Sequence, residues 1–374
     1  MIYVTTRQKE YEKQLTWLDM IEEKYLTAVN RTGTAGTITR TMEQASPELL
    51  NKINVPGMIR TLQRFNERHK DLYDTPKEKL YKHYNIPKKT GGWRPIDEPC
   101  SALQNSLQEL KEILVDQFGV LYHTAAYAYV PGRSIVQNNR KHQINESNWY
   151  LKTDFSGFFP STTLDFTMNM LSMVFPLSEV CKDPVGREEL RKALSLGFLR
   201  DSLPQGSKLS PTLTNCLMIP VDHKLFNALA KKRYVYTRYA DDIHISCVQK
   251  FNYQKMVQFI RDTLKEFDAP YQIKDEKTHF GSRKGRNFCL GLLINADNNI
   301  TVGHQKKRLF KAATNNLIMD WKHHKYWDIA DLQHYSGLLS YYKMVEPEYF
   351  KNLIRHFNTK YHVNVSAILK QSLT

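Results

Sequence analysis

The chain has 374 residues, 41% hydrophobic and 24% charged, and its 53 Lys and Arg outweigh 38 Asp and Glu for a formal charge of +15. That length fits two or three packed subregions rather than one minimal core, and the basic balance points to a polyanionic partner, nucleic acid before an anionic membrane surface. Five widely spaced cysteines without a C-x-x-C pair exclude a disulfide framework and a zinc site and suit a reducing cytoplasm; no run of about 18 apolar residues is long enough to span a bilayer.

In chain order, residues 5–66 show apolar positions at helical spacing, such as Leu15, Leu18, Ile21 and Tyr25, broken by a Thr/Gly-rich stretch at 31–39. No chemistry is legible there. Lys88-Lys89-Thr90-Gly91-Gly92 between extended flanks predicts a hairpin tip. A helix is expected over 102–118, a loop over 129–134, a strand over 149–155, and mostly helix over 164–199 with a break around 182–186. Helices and strands without a regular β-α-β period predict an α+β layer architecture.

The sharpest chemical feature is Tyr234-Val235-Tyr236-Thr237-Arg238-Tyr239-Ala240-Asp241-Asp242-Ile243-His244-Ile245-Ser246-Cys247, two alternating β-rich runs joined at a pair of acids. An ordinary surface turn would explain the aspartates alone, but adjacent like charges beside apolar strands are costly unless a cation neutralises them. A third acid, Asp154, closes the short apolar run before Phe155-Ser156-Gly157-Phe158-Phe159-Pro160. Three carboxylates converging from these stretches make an oxygen cage for two hard divalent ions, the device for in-line nucleotidyl transfer. Leu203-Pro204-Gln205-Gly206-Ser207-Lys208-Leu209-Ser210-Pro211 precedes an apolar run over 213–229, and Ser210 with Pro211 reads as the cap and first turn of its helix.

Asp154 with its FSGFFPS context, LPQGSKLSP and YTRYADD occur in the order and spacing of reverse transcriptases, and the chain resembles the bacterial retron-type members most. The resemblance implies a right-hand polymerase fold: a helical N-terminal extension at 1–75, fingers at 76–148, a palm at 149–298 with a helical insertion about 164–200, and an RNA-binding helical thumb at 299–374. It implies that Asp154, Asp241 and Asp242, with the carbonyl of Phe155, hold two magnesium ions, manganese being an alternative. Lys277 in Gln272-Ile273-Lys274-Asp275-Glu276-Lys277 falls where the family places a lysine that protonates pyrophosphate. Phe159 falls at the steric gate against a ribose 2′-hydroxyl, a place for which Phe158 competes. Gln205 and Gly206 match contacts to nucleotide and template, and Lys88, Lys89 and Arg94 match fingers residues that grip the triphosphate of a deoxynucleotide. The segment 287–294 reads as one buried strand, similar to the primer grip, with Cys289-Leu290-Gly291 where retron enzymes carry Val-Thr-Gly. Asn138-Asn139-Arg140-Lys141-His142 partly matches the retron Asn-Ala-x-x-His, which places Asn138 and His142 among RNA contacts.

Toward the C-terminus, Lys306, Lys307, Arg308 and Lys311 form a basic helical face expected to bind RNA, while Trp321, Trp327 and Tyr341 are expected in the core. By resemblance, the partners are a dedicated structured non-coding RNA, serving as template and primer source, its DNA product, and an effector protein of an anti-phage defence system; no membrane is involved. The alternatives are another defence-associated or intron-type reverse transcriptase, or an RNA-docked scaffold that restrains an effector.

Overall fold

The computed structural model describes residues 53–88, 91–285 and 288–373. Predicted helices before residue 53 lie outside them. The described chain runs through α1 (Val55–Arg68), α2 (Lys70–Asp74), β1 (Tyr81–Pro87), β2 (Trp93–Pro99), α3 (Ser101–Glu112), α4 (Ile135–Ile144) and β3 (Trp149–Ser156). It continues through α5 (Leu164–Leu171), α6 (Leu177–Lys182), α7 (Pro184–Ser195), α8 (Leu209–Leu217), α9 (Ile219–Ala230), β4 (Val235–Tyr239), β5 (Asp242–Cys247) and α10 (Tyr253–Glu266). Short strands β6 (Gln272–Ile273), β7 (His279–Ser282), β8 (Phe288–Cys289), β9 (Leu292–Ile294) and β10 (Ile300–Thr301) precede helices α11 (His304–Lys322), α12 (Ile329–Val345), α13 (Pro347–Tyr361) and α14 (Val365–Leu373). The α+β expectation holds.

The chain divides into two compact units: the described part of Met1–Tyr129 with Phe155–Lys231 and Lys255–Ile273, and Val130–Asp154 with Lys232–Gln254 and the described part of Lys274–Thr374. In the first, α1 packs on α7 and α3 on α8, burying Leu62, Phe65, Leu107, Leu190, Leu194 and Leu213 completely. Local chemistry starts these helices: Asn54 caps α1 by accepting from the Gly57 amide at 2.9 Å, and Asp183 caps α7 just ahead of Pro184. The hairpin β1–β2 pairs Tyr81 with Pro99 through Pro87 with Trp93, as the sequence predicted.

In the second unit β4, β5, β3 and β7 lie in that order as an antiparallel sheet, with α4 packed against β4. The C-terminal helices close around Phe310, Ile318, Leu332, Tyr335, Tyr342 and Phe357; the Phe310 and Tyr342 rings stack at 4.0 Å. Trp321, Trp327 and Tyr341 pack against this core as expected.

Three local expectations are corrected. Ser210 is inside α8, its hydroxyl donating to the Pro204 carbonyl at 2.9 Å, and Lys208 is the cap residue. The apolar run 213–229 is two helices, because Pro220 lacks the amide proton a continuous helix needs and instead starts α9. The segment 288–294 is a hairpin, β8–β9, whose turn residues Leu290 and Gly291 both take positive φ, 53° and 77°.

Candidate active site

The site is built on one face of the second unit's sheet. Strand alternation puts every second residue on a face, and the register pairs Asp154 of β3 directly with Asp242 of β5. Side chains so paired start about 5 Å apart and point the same way. Tyr239 pairs with the same Asp242 from the other side, so Ala240 and Asp241 form a two-residue turn that sets Asp241 beside the pair. Ala240 takes φ 57°, a left-handed conformation costly for a residue with a Cβ, and the wholly buried Arg238 donates from Nη1 to the Ala240 carbonyl at 3.0 Å. Sequence reading gave Arg238 no role. Its signal is a charged residue within an otherwise apolar and aromatic strand.

Asp154 is 5% exposed. Its Oδ2 accepts from Lys277 Nζ at 2.5 Å with Lys274 Nζ at 3.9 Å, while Oδ1 is buried without a hydrogen-bond partner. Burial, followed by the neighbouring Asp241 and Asp154 carboxylates, raises the Asp242 pKa to about 6; burial chiefly raises that of Asp241 as well. Lys277 is held above its ordinary value, first by its hydrogen bond to Asp154. As they stand, with Lys277 against Asp154, no three His, Cys, Asp or Glu side chains among the described residues form a ready metal cage. The donor set nonetheless fits a divalent ion: three carboxylates supply hard oxygen, one buried oxygen lacks a partner, and two acids are under mutual repulsion that a cation relieves.

The other expected residues divide between the units. In the first, Phe155 is fully buried, its ring stacked on Phe158 at 5.6 Å and Tyr271 at 5.4 Å. Phe158 is 4% exposed and belongs to that cluster, whereas Phe159 is half-buried with its ring tilted against Phe158 at 5.8 Å, so the packing position falls to Phe158. Gln205 and Gly206 lie against β2: the Asp97 amide donates to the Gln205 carbonyl at 2.8 Å. A Cβ on Gly206 would stand 2.8 Å from the Asp97 carbonyl, and its φ is 128°. Glycine is therefore required there by close backbone approach to β2. Lys88 and Arg94 are exposed on the β1–β2 hairpin, Arg94 opposite Ile86; Lys89 lies outside the described residues.

In the second unit, Asn138 and His142, expected among RNA contacts, are instead 0% and 1% exposed on the inner face of α4. His142 Nδ1 is 2.6 Å from Ser246 Oγ and Nε2 2.9 Å from Thr237 Oγ1, and burial lowers its pKa to about 3. On α11, Arg308 and Lys311 are exposed, and Lys306 reaches the Gly291 carbonyl at 2.9 Å. Lys307 turns inward instead, ion-paired to Glu346 at 2.5 Å and over the Tyr349 ring at 4.5 Å. Its charge is already used.

Residues 86–310 match the family model described as reverse transcriptase (RNA-dependent DNA polymerase). The chain belongs to the reverse transcriptase family. The retron Ec73 reverse transcriptase of Escherichia coli is 28% identical over 285 residues, 74% of this chain and 86% of that protein. The retron Ec83 reverse transcriptase of the same organism is 26% identical over 74% of this chain and 86% of its own. Within the family this reverse transcriptase is thus similar to the retron type, with the right-hand polymerase fold and RNA-directed DNA polymerase activity of its class. Among solved structures, telomerase from Candida albicans, in complex with a fragment of telomeric RNA, is similar over 82% of this chain and 59% of that one, at 13% identity and a TM-score of 0.45. No described helix is long and apolar enough to cross a membrane.

Proposed function

We propose that this reverse transcriptase copies a dedicated, structured non-coding RNA into single-stranded DNA, with Asp154, Asp241 and Asp242 as the metal-binding carboxylates and deoxynucleoside triphosphates as substrates. The observation that carries the reading is the register pairing of Asp154 with Asp242, with Asp241 in the adjoining turn. Two magnesium ions, or manganese in their place, would supply Lewis acidity for the attacking 3′-hydroxyl and charge neutralisation for the departing pyrophosphate. The protein's residues then do the rest. Asp154 and Asp242 orient the ligand oxygens, and the carbonyl of Phe155 adds a further oxygen. Lys277, placed at the carboxylates by its hydrogen bond to Asp154 at 2.5 Å, serves as proton donor to the leaving group. Phe159 excludes a ribose 2′-hydroxyl, and Lys88, Lys89, Arg94, Gln205 and Gly206 receive the nucleotide.

In this reading fingers extend to about residue 148, the palm over 149–298 and an RNA-binding thumb over 299–374, where Lys306, Arg308 and Lys311 face the RNA. Similarity to retron enzymes supports priming from an internal 2′-hydroxyl of the same RNA, a branched RNA–DNA product, and an effector protein restrained by the complex in anti-phage defence. Sequencing the nucleic acid that copurifies with the protein tests this: a short DNA joined to one specific RNA through a branched linkage is expected. Cellular RNA without attached DNA would instead favour another class of reverse transcriptase. The Asp241→Asn and Asp242→Asn variants should yield the RNA alone; DNA in either would overturn the carboxylate assignment.

A further inference from the structure

The sheet face that presents Asp154 and Asp242 continues away from the turn as a polar row. Lys152, His244 and Thr237 occupy the next level of the register on that face, and Tyr150, Ser246 and Val235 the one after. His244, Thr237 and Ser246 are buried, at 4%, 1% and 0% exposure. Apolar side chains would cover such a level without desolvating hydroxyls, so the polar choice calls for another reason.

Thr237 and Ser246 of that row share one partner, His142 of α4. Ser246 donates to Ser147 Oγ at 2.7 Å, so it accepts from His142 Nδ1, and His142 Nε2 accepts from the Thr237 hydroxyl. A single imidazole therefore ties β4 to β5 diagonally, two residues before Tyr239 and four after Asp242. The helix that carries it is fixed by further polar contacts: Asn139 donates to the Cys289 carbonyl at 3.3 Å, and Gln143 donates to the Asn298 carbonyl at 2.7 Å and receives from Asn298 Nδ2 at 3.0 Å. The hairpin needs such an external hold. Its turn carries Ala-Asp rather than the Asn-Gly that favours a two-residue turn, and a slip of one residue would send Asp242 to the opposite face.

We propose that His142 is a positioning residue of the polymerase site, which fixes the register and tilt of the Asp241–Asp242 turn by bridging Thr237 and Ser246. It sets carboxylate geometry for the divalent ions without touching ions, nucleotide or RNA. This inference rests on the assignment of those carboxylates under the proposed function.

The test compares His142→Leu, His142→Gln and Thr237→Val with the parent and with Asp241→Asn, all in the full chain. Primer extension gives kcat and the KM for nucleotide, filter binding gives RNA affinity, thermal melting reports folding, and electron paramagnetic resonance of added Mn2+ reports ion binding directly. His142→Leu should keep RNA affinity and nucleotide KM within about threefold while kcat falls about 10- to 100-fold and Mn2+ binds about tenfold more weakly. His142→Gln, which still donates and accepts, should recover most of both; Thr237→Val, which removes one of the two bonds, should lose less in the same direction. Parental kcat and Mn2+ affinity in a folded His142→Leu protein overturn the proposal, as does a loss that tracks RNA affinity. Should His142→Leu not fold, Thr237→Val decides by the same two readouts. Extension that survives in Asp241→Asn sinks the carboxylate assignment itself, a distinct outcome.

Discussion

Two antiparallel hairpins of this protein carry charge near their turns, and they are built in opposite ways. Along β4–β5 nearly every side chain is buried or half-buried, the turn is two residues long, and its carbonyl is held by a buried arginine. Along β1–β2 most residues are exposed, Trp93 at 65%, and beside Gly91 and Gly92 of its turn the described basic residues Lys88 and Arg94 are exposed. Charge in the first is fixed, desolvated and strongly coupled; charge in the second is screened by water and salt and acts on whatever arrives. Function should therefore depend on the first hairpin through geometry and on the second through attraction.

The largest expected effect follows from that contrast. Under the proposed carboxylate assignment Asp242→Asn removes a metal ligand, and kcat for primer extension should fall about a thousandfold or more, roughly 4 kcal/mol. If Arg94 grips the triphosphate as proposed, Arg94→Ala removes a charge-assisted contact worth about 1.5–3 kcal/mol, so kcat/KM for nucleotide should fall about 10- to 100-fold, largely through KM. Equal losses in steady-state extension assays would erase the distinction between the hairpins.

Adjacent aromatics sharpen the same distinction within the first unit. Phe158→Ala, which empties a stacked cluster with Phe155 and Tyr271, should cost about 3–5 kcal/mol in denaturant unfolding. Phe159→Ala should leave stability nearly unchanged and raise incorporation of ribonucleotides relative to deoxynucleotides. A stability loss without a change in that ratio would place Phe159 in the core as well.

How much of this was legible depends on the range of the interaction. The acidic hairpin could be read from residues 234–247 because alternation and turn chemistry are local. The β1–β2 hairpin was legible for the same reason. What sequence could not supply is register between distant strands: that Asp154 meets Asp242, rather than a neighbour one step away, is set by packing across the sheet. The same limit hid the inward turn of Lys307. It sits between Lys306 and Arg308 in an even basic run, and Glu346 and the Tyr349 ring, brought near by the packing of the C-terminal helices, distinguish it. Asn138 and His142 were expected among RNA contacts from a partial motif match, and polarity alone cannot say whether a helix residue faces solvent or a buried hydroxyl row.

The carboxylate cluster also predicts a pH signature of intermediate size. Asp242 titrates near 6 when folded against an ordinary 3.8, so between those values the folded chain holds a proton the unfolded chain has released. Stability of the metal-free protein should thus fall as pH rises through that window, with the cost complete above about 6. Thermal melting in chelator, compared between the parent and Asp242→Asn, isolates this group: the parent should lose more between about pH 4.5 and 7, and a divalent ion should restore the loss by taking the proton's place. Identical pH profiles would mean that neither burial nor the neighbouring carboxylates raise Asp242.

The smallest effects belong to the exposed face of α11, where three neighbouring cations should behave differently. Each basic residue that neutralises an RNA phosphate adds about 0.7–0.9 to the slope of log affinity against log salt. Arg308→Ala with Lys311→Ala should flatten that slope by about 1.5. Lys307→Ala should leave it unchanged, because its ammonium is committed to Glu346, whose other oxygen accepts from the Val302 amide and the Thr301 hydroxyl, each at 3.0 Å. Its loss should appear instead as a lower melting temperature, since it leaves a largely buried carboxylate without its cation, a cost of about 1–3 kcal/mol. If Lys307→Ala flattens the salt slope as its neighbours do, the pair with Glu346 opens when RNA binds, and the difference between committed and free charge that separates the two hairpins does not extend to this helix.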